Sequence, residues 1–226
     1  MEIYEKLWSD AISAFERGEP QIDPHLSDQT KDLRRGATLV FRPSQSVREA
    51  ASTFINRLSS VCPGQYFYLP QELHVTILSI ISGTEHWRRE IGRIAACRLA
   101  IAGVLKDRHP FKIEFRGITA SPGTVMIQGF PIGDGLTSIR DDLRESFARN
   151  GFGDMVDRRY KITGAHMTIM RFRQPSPDLK PLISFLKQNR ETAFGESKVN
   201  RLQLIFNDWY VSAEKVRILE EYSLGL

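Results

Sequence analysis

Two of the chain's five histidines share a local pattern: His74 opens His-Val-Thr-Ile and His166 opens His-Met-Thr-Ile, so Thr76 and Thr168 follow two residues behind them. Displacement at phosphorus needs a base for the attacking oxygen and an acid for the leaving oxygen. Two imidazoles, with ordinary pKa values of about 6.5, supply both when one is neutral and the other protonated near neutral pH. The threonine hydroxyls add donors for the non-bridging oxygens, where charge builds in the transition state. This chemistry uses no metal and no cofactor. A zinc or iron site would require three or four convergent ligands, for which threonine is a poor substitute.

Geometry makes the spacing meaningful. In a strand, residues i and i+2 point the same way. His74 and Thr76 then share one face, His166 and Thr168 share another, and Val75, Ile77, Met167 and Ile169 point into a core. On average composition roughly 2% of histidines would precede apolar, Ser or Thr, apolar by chance. Two matches in one chain, on two similar strands, therefore read as an internal repeat.

The elements that must position these residues are legible in outline. Ile3, Leu7, Trp8, Ile12 and Phe15 form a stripe at helical spacing that ends at Gly18 and Pro20, which predicts an amphipathic N-terminal helix. A polar loop follows to Gly36. Strands are expected over 37–42, 73–81, 111–118, 124–130, 165–172 and 199–206, and helices over 46–60, 85–106, 136–149 and 178–188. Ser-Pro-Gly-Thr at 121–124 marks a hairpin, so antiparallel pairing is present. The pattern is α+β: residues 1–35 as a helix and connecting loop, then residues 36–226, which look like two related halves. If these sit side by side about an approximate twofold axis, their polar faces meet in one groove.

On HVTI at 74–77 and HMTI at 166–169, the sequence resembles the 2H phosphoesterase superfamily, which includes the 2'-5' RNA ligase-like proteins and cyclic nucleotide phosphodiesterases. The resemblance extends in element order over roughly 36 to 210. It implies a bilobal fold with a small antiparallel sheet and flanking helices in each lobe, His74 and His166 as the catalytic pair, and Thr76 and Thr168 as substrate-binding hydroxyls. Some RNA ligase-like members carry an arginine five residues after the second histidine, where Arg171 stands; the first motif has Ser79 there. Arg171 lies an odd number of residues from His166, so a regular strand would turn it away from the groove, and only a bulge or the strand's end would return it. Its guanidinium matches phosphate geometry.

Arg42 closes a strand and reads as a solvated strand end. Tyr66, Phe67 and Tyr68 precede the first motif and divide between core packing and base stacking. His25, His86 and His109 lack the pattern and read as surface residues. The glycines of GDG at 133–135 and GFGD at 151–154 read as turns.

Composition bounds the rest. The 226 residues, 41% hydrophobic, suffice for a proper core. Lys and Arg exceed Asp and Glu by four (31 against 27), which mildly favours anionic partners. Cys62 and Cys97 lack metal-type spacing and read as buried thiols. The N-terminus is not a secretory signal and no apolar run reaches membrane-spanning length, so a cytoplasmic protein, most simply a monomer, is expected. The expected substrate is a phosphodiester in an RNA end or nucleotide, with 2',3'-cyclic phosphates and 2'-5' linkages as candidates. A nucleotide-binding module with little turnover and an enzyme that joins RNA ends are the alternatives.

Overall fold

A computed structural model describes residues 2–158 and 161–225. In chain order the elements are α1 (Glu2–Glu16), β1 (Arg35–Phe41), α2 (Gln45–Val61), β2 (Tyr66–Phe67), β3 (Val75–Thr84), α3 (Ile94–Leu105), β4 (Phe111–Ser121), β5 (Thr124–Ile132), α4 (Gly135–Arg149), β6 (Met167–Arg171), α5 (Lys180–Gln188), β7 (Ala193–Val199), β8 (Arg201–Asp208) and β9 (Arg217–Ser223).

The strands form two sheets, both antiparallel: β3-β1-β8-β9, and β2-β6-β5-β4-β7. The fold is α+β, as expected. The predicted hairpin joins β4 to β5 through Pro122 and Gly123, with Ser121 opposite Thr124. Each sheet puts one face of alternating apolar residues under helices, the arrangement that leaves antiparallel strands a second, polar face. Helices α1, α2 and α5 pack around the second sheet, while α3 and α4 lie together against β9 and β3. Helix α2 leaves a strand of the first sheet yet covers the second, and α4 leaves β5 yet also contacts β3. This exchange of helices gives the two lobes one continuous core, in which Leu39 and Ile77 belong to the same buried cluster as Ile127 and Ile169.

Helix α1 is part of that core through Ala11, Ile12 and Phe15. Its buried face also includes Tyr4, whereas Ile3 is 43% exposed. The expected helix over 85–106 is broken into two 3-10 turns, Trp87–Arg89 and Ile91–Arg93, before α3 begins. Gly92 lies in the second turn, where its freedom disfavours a regular helix. Strands β2, β7 and β9 were not expected. β7 carries charges and Gly195 at φ 103°, and β9 begins Arg-Ile-Leu-Glu-Glu, so neither offers clean alternation. Both cysteines are buried free thiols. Among the described residues no helix is long and apolar enough to cross a membrane.

Candidate active site

His74 and His166 stand immediately before β3 and β6. These two strands run through the same sequence of registers. Against β1, Val75 pairs Phe41, Thr76 pairs Val40, Leu78 pairs Leu39 and Ser79 pairs Thr38. Against β5, Met167 pairs Ile127, Thr168 pairs Met126, Met170 pairs Val125 and Arg171 pairs Thr124. In each strand one residue, Ile77 or Ile169, is unpaired by a bulge. Both isoleucines are fully buried. The bulge shifts the alternation by one position, so the residue five after each histidine returns to the polar face. Arg171 thus joins the groove by one of the two routes that strand parity left open.

One groove of about 160 Å³ is lined by His74, Thr76, Ser79, His166, Thr168 and Arg171. The five residues singled out in the sequence are therefore gathered in one place. Thr38, Tyr68, Asn207 and Trp209 complete its walls. The carboxylates at its margin, Asp157 and Asp208, are engaged by Arg144 Nε at 2.7 Å and by Ser212 Oγ at 2.7 Å.

The rings are oriented and electrostatically tuned. His74 Nδ1 lies 2.7 Å from the carbonyl oxygen of Glu72. A carbonyl only accepts, so Nδ1 carries the hydrogen and Nε2 keeps a lone pair for the groove. Burial pushes the His74 pKa down to about 3, with the nearby Arg42, His166 and Arg171 charges acting in the same direction against the Glu72 bond. Burial, with Arg140 and Arg171, pushes His166 down to about 4. On the protein's own charges both imidazoles are neutral near pH 7. In the protein without ligand, desolvation and a surround of guanidinium groups oppose a further cation, so a protonated ring in this groove requires an anion beside it.

Three arginines set that surround. Arg140, on α4 and buried, donates to four backbone carbonyls: Thr76 at 2.8 Å and Ile77 at 2.9 Å on the first motif strand, and Thr163 and Gly164, both at 2.9 Å, just before the second motif. One guanidinium thus ties the two motifs together, and its five donors in a rigid fork suit the task. The sequence reading missed it, because an arginine on an amphipathic helix reads as solvated. Arg171 donates through Nε to Tyr68 Oη at 2.8 Å, which fixes its side chain in the groove. Arg42, expected at a solvated strand end, is instead partly buried and donates to the Leu73 carbonyl at 3.3 Å, beneath His74.

Trp209 was also missed. It sits in a tight loop pinned by the buried Asp208 carboxylate, which accepts from Tyr210 N at 3.2 Å, Ser212 N at 2.9 Å and Ser212 Oγ. A Cβ on Gly83 would lie 2.6 Å from the indole, so glycine there lets the ring rest against the end of β3. The guanidinium of Arg34, held bidentate by Asp32 at 2.9 and 2.7 Å, lies 4.8 Å from the indole centroid. Of the three aromatics before the first motif, Tyr68 lines the groove, Phe67 packs on the core, and Tyr66 packs against Tyr68 and Tyr210. His25, His86 and His109 are not among the groove's residues.

Among known protein families, residues 40–213 match the model of the AKAP7 2'5' RNA ligase-like domain. An RNA 2',3'-cyclic phosphodiesterase of Aquifex aeolicus (strain VF5) is 25% identical over 187 residues, which cover 82% of this chain and 95% of the relative. The crystal structure of TT0787 of Thermus thermophilus superposes with a TM-score of 0.62 at 18% identity, covering 84% of this chain and 97% of that one. E. coli LigT, in a crystal structure with 3'-AMP, has a TM-score of 0.57 at 12% identity over 85% of this chain and 99% of its own. These structures share the fold. With a family model spanning both motifs, the chain belongs to the AKAP7 2'5' RNA ligase-like domain family and, with it, to the 2H phosphoesterase superfamily of phosphodiesterases.

Proposed function

We propose that this protein cleaves a phosphodiester in an RNA end or nucleotide, a 2',3'-cyclic phosphate or a 2'-5' linkage, by acid-base catalysis from His74 and His166 without a metal. The observation that carries the reading is the matched pair of bulged strands, each delivering a histidine, a threonine and a fifth residue to one groove. The name of the Aquifex relative supports the substrate class.

In a 2'-5' linkage His74, with Nδ1–H committed to the Glu72 carbonyl, takes the proton of the attacking oxygen on Nε2. His166 gives a proton to the oxygen of the departing nucleoside as its P–O bond breaks. In a 2',3'-cyclic ester water attacks from the His166 side, His166 takes its proton, and His74 returns one to the ribose oxygen released. The substrate's negative charge raises both depressed pKa values toward the working range, so the acid is charged by the ligand it acts on. Thr76 and Thr168 donate to the non-bridging oxygens, and Arg171 balances the charge that grows on them.

The test is a panel of 2',3'-cyclic nucleotides and 2'-5' dinucleotides assayed in the presence of a chelator. His74→Ala and His166→Ala should each lower turnover roughly 10²–10⁴-fold. Full activity in the double variant ends the reading, and tight binding of the panel with no product in the wild type replaces it with a nucleotide-binding module.

A further inference from the structure

We infer that α1 walls a second arm of the active-site groove, a subsite for the nucleoside on the far side of the scissile phosphate; this rests on the phosphodiesterase reading above. Beyond His166 the groove opens into a cavity of about 440 Å³ that shares His166, Thr168, Arg171 and Trp209 with the catalytic centre. That volume lies within the range of small-molecule sites, roughly 300–1,000 Å³.

Its walls are of two kinds. Ile3 and Leu7 of α1, with Met126 and Ile162, make apolar surfaces. Gln21, Ser121, Thr124 and Thr163 put an amide and hydroxyls at the edges, and Lys161 adds a cation there. A nucleobase has this chemistry, with apolar faces and a rim of donors and acceptors, and Trp209 offers an aromatic surface beside it. The sequence grouped Ile3 and Leu7 with the core-facing stripe, yet the structure leaves Ile3 43% exposed and Leu7 half-buried, both on the cavity. The helix itself is fixed. Tyr4 Oη donates to the Gly129 carbonyl at 3.0 Å and accepts from Ala165 N at 3.0 Å, directly before His166. A cyclic mononucleotide carries one nucleoside and needs one arm. A linkage between two nucleosides needs both: its leaving oxygen belongs to the second nucleoside, which departs on the His166 side into the arm at α1. A cyclic ester is instead opened by water entering from that side, with the two histidines exchanging roles and its one nucleoside on the His74 side.

The experiment compares kcat/KM for a 2'-5'-linked dinucleoside monophosphate and for a 2',3'-cyclic mononucleotide in the wild type and in Ile3→Ala, Leu7→Ala. The ratio of dinucleotide to cyclic substrate should fall about tenfold, the scale of removing a few methylenes from a specificity pocket. A ratio constant within about twofold overturns the inference, including the case in which both substrates slow together because α1 only positions His166 through Tyr4. If the wild type cleaves neither ester, the catalytic reading fails by itself. Calorimetry then decides the arm: the variant should bind the dinucleoside monophosphate more weakly and a 3'-mononucleotide unchanged, and equal affinities for both ligands sink it. Dibutyl phosphate competing as well as the dinucleotide would overturn the nucleoside assignment.

Discussion

Ser79 and Arg171 occupy the same station on the two motif strands: each is fifth after its histidine, each lies two residues past a bulged isoleucine, and each faces a threonine of the neighbouring strand, Thr38 or Thr124. Both line the groove. The repeat is therefore symmetric in backbone and asymmetric in charge. Arg171→Ala should lower kcat/KM for a cyclic nucleotide by about 10²–10³-fold, the range for removing one preorganised donor. Ser79→Ala should cost less than about threefold, as an uncharged group on the opposite arm. Tyr68→Phe should fall between them, since it frees the guanidinium without removing it. Steady-state kinetics on the three variants checks the order, and equal losses at 79 and 171 would contradict it.

Arg140 makes a separate prediction, because it stabilises the site and never lines it. Arg140→Met removes four hydrogen bonds to carbonyls of both motif segments and leaves those acceptors without their donor. An unsatisfied buried polar group costs about 1–3 kcal/mol, so the variant should lose at least about 3 kcal/mol of stability. Urea denaturation measures it. Arg140→Lys should recover little, since one ammonium cannot reach four carbonyls in a fork.

Both predictions depend on features of unequal visibility in the sequence. The two His-x-Thr segments declare themselves, since histidine and threonine at alternate positions of an otherwise apolar strand have no packing purpose. The bulges do not. Ile77 and Ile169 are the apolar residues any strand would bury, and nothing about an isoleucine marks it as unpaired. Arg171 could therefore be read only as a residue of uncertain face. Arg140 and Trp209 were missed for a related reason: their partners are backbone carbonyls of distant segments and a stacked guanidinium, which periodicity does not encode. Helix α1 was legible as a helix from its stripe, but which side of the stripe enters the core depends on a sheet formed more than a hundred residues later.

Trp209 should act on the nucleoside and not on the phosphate. Base stacking on an aromatic side chain is worth about 1–3 kcal/mol, so Trp209→Ala should raise KM or Kd for a nucleotide by roughly 10–100-fold. Trp209→Phe should restore most of it. Affinity for sulfate, which has no ring to stack, should stay within about twofold. A parallel loss for sulfate would mean that the indole supports Arg171 instead, 6.0 Å from its centroid.

The depressed histidines predict how the protein responds to acid. In the unfolded chain both titrate near 6.5, and in the folded protein at about 3 and about 4. Between those limits the unfolded state binds more protons, so stability rises with pH across this window. The contribution is complete above about pH 6.5 and is lost as pH falls through the window toward 4 and below. Urea midpoints of the wild type should drop from pH 6.5 to 4, and His74→Asn, His166→Asn should flatten that slope. Anion binding must run the other way. Sulfate keeps its charge across this range, and its presence favours the imidazolium forms, so its affinity should increase as pH is lowered from 7 to 5 with net proton uptake. The limit is about tenfold per pH unit for each proton taken up. Calorimetry in buffers of different ionisation enthalpy counts those protons. Sulfate affinity independent of pH in the wild type would show that neither imidazole is charged by the anion it faces, and the acid of the proposed mechanism would then have no source of its proton.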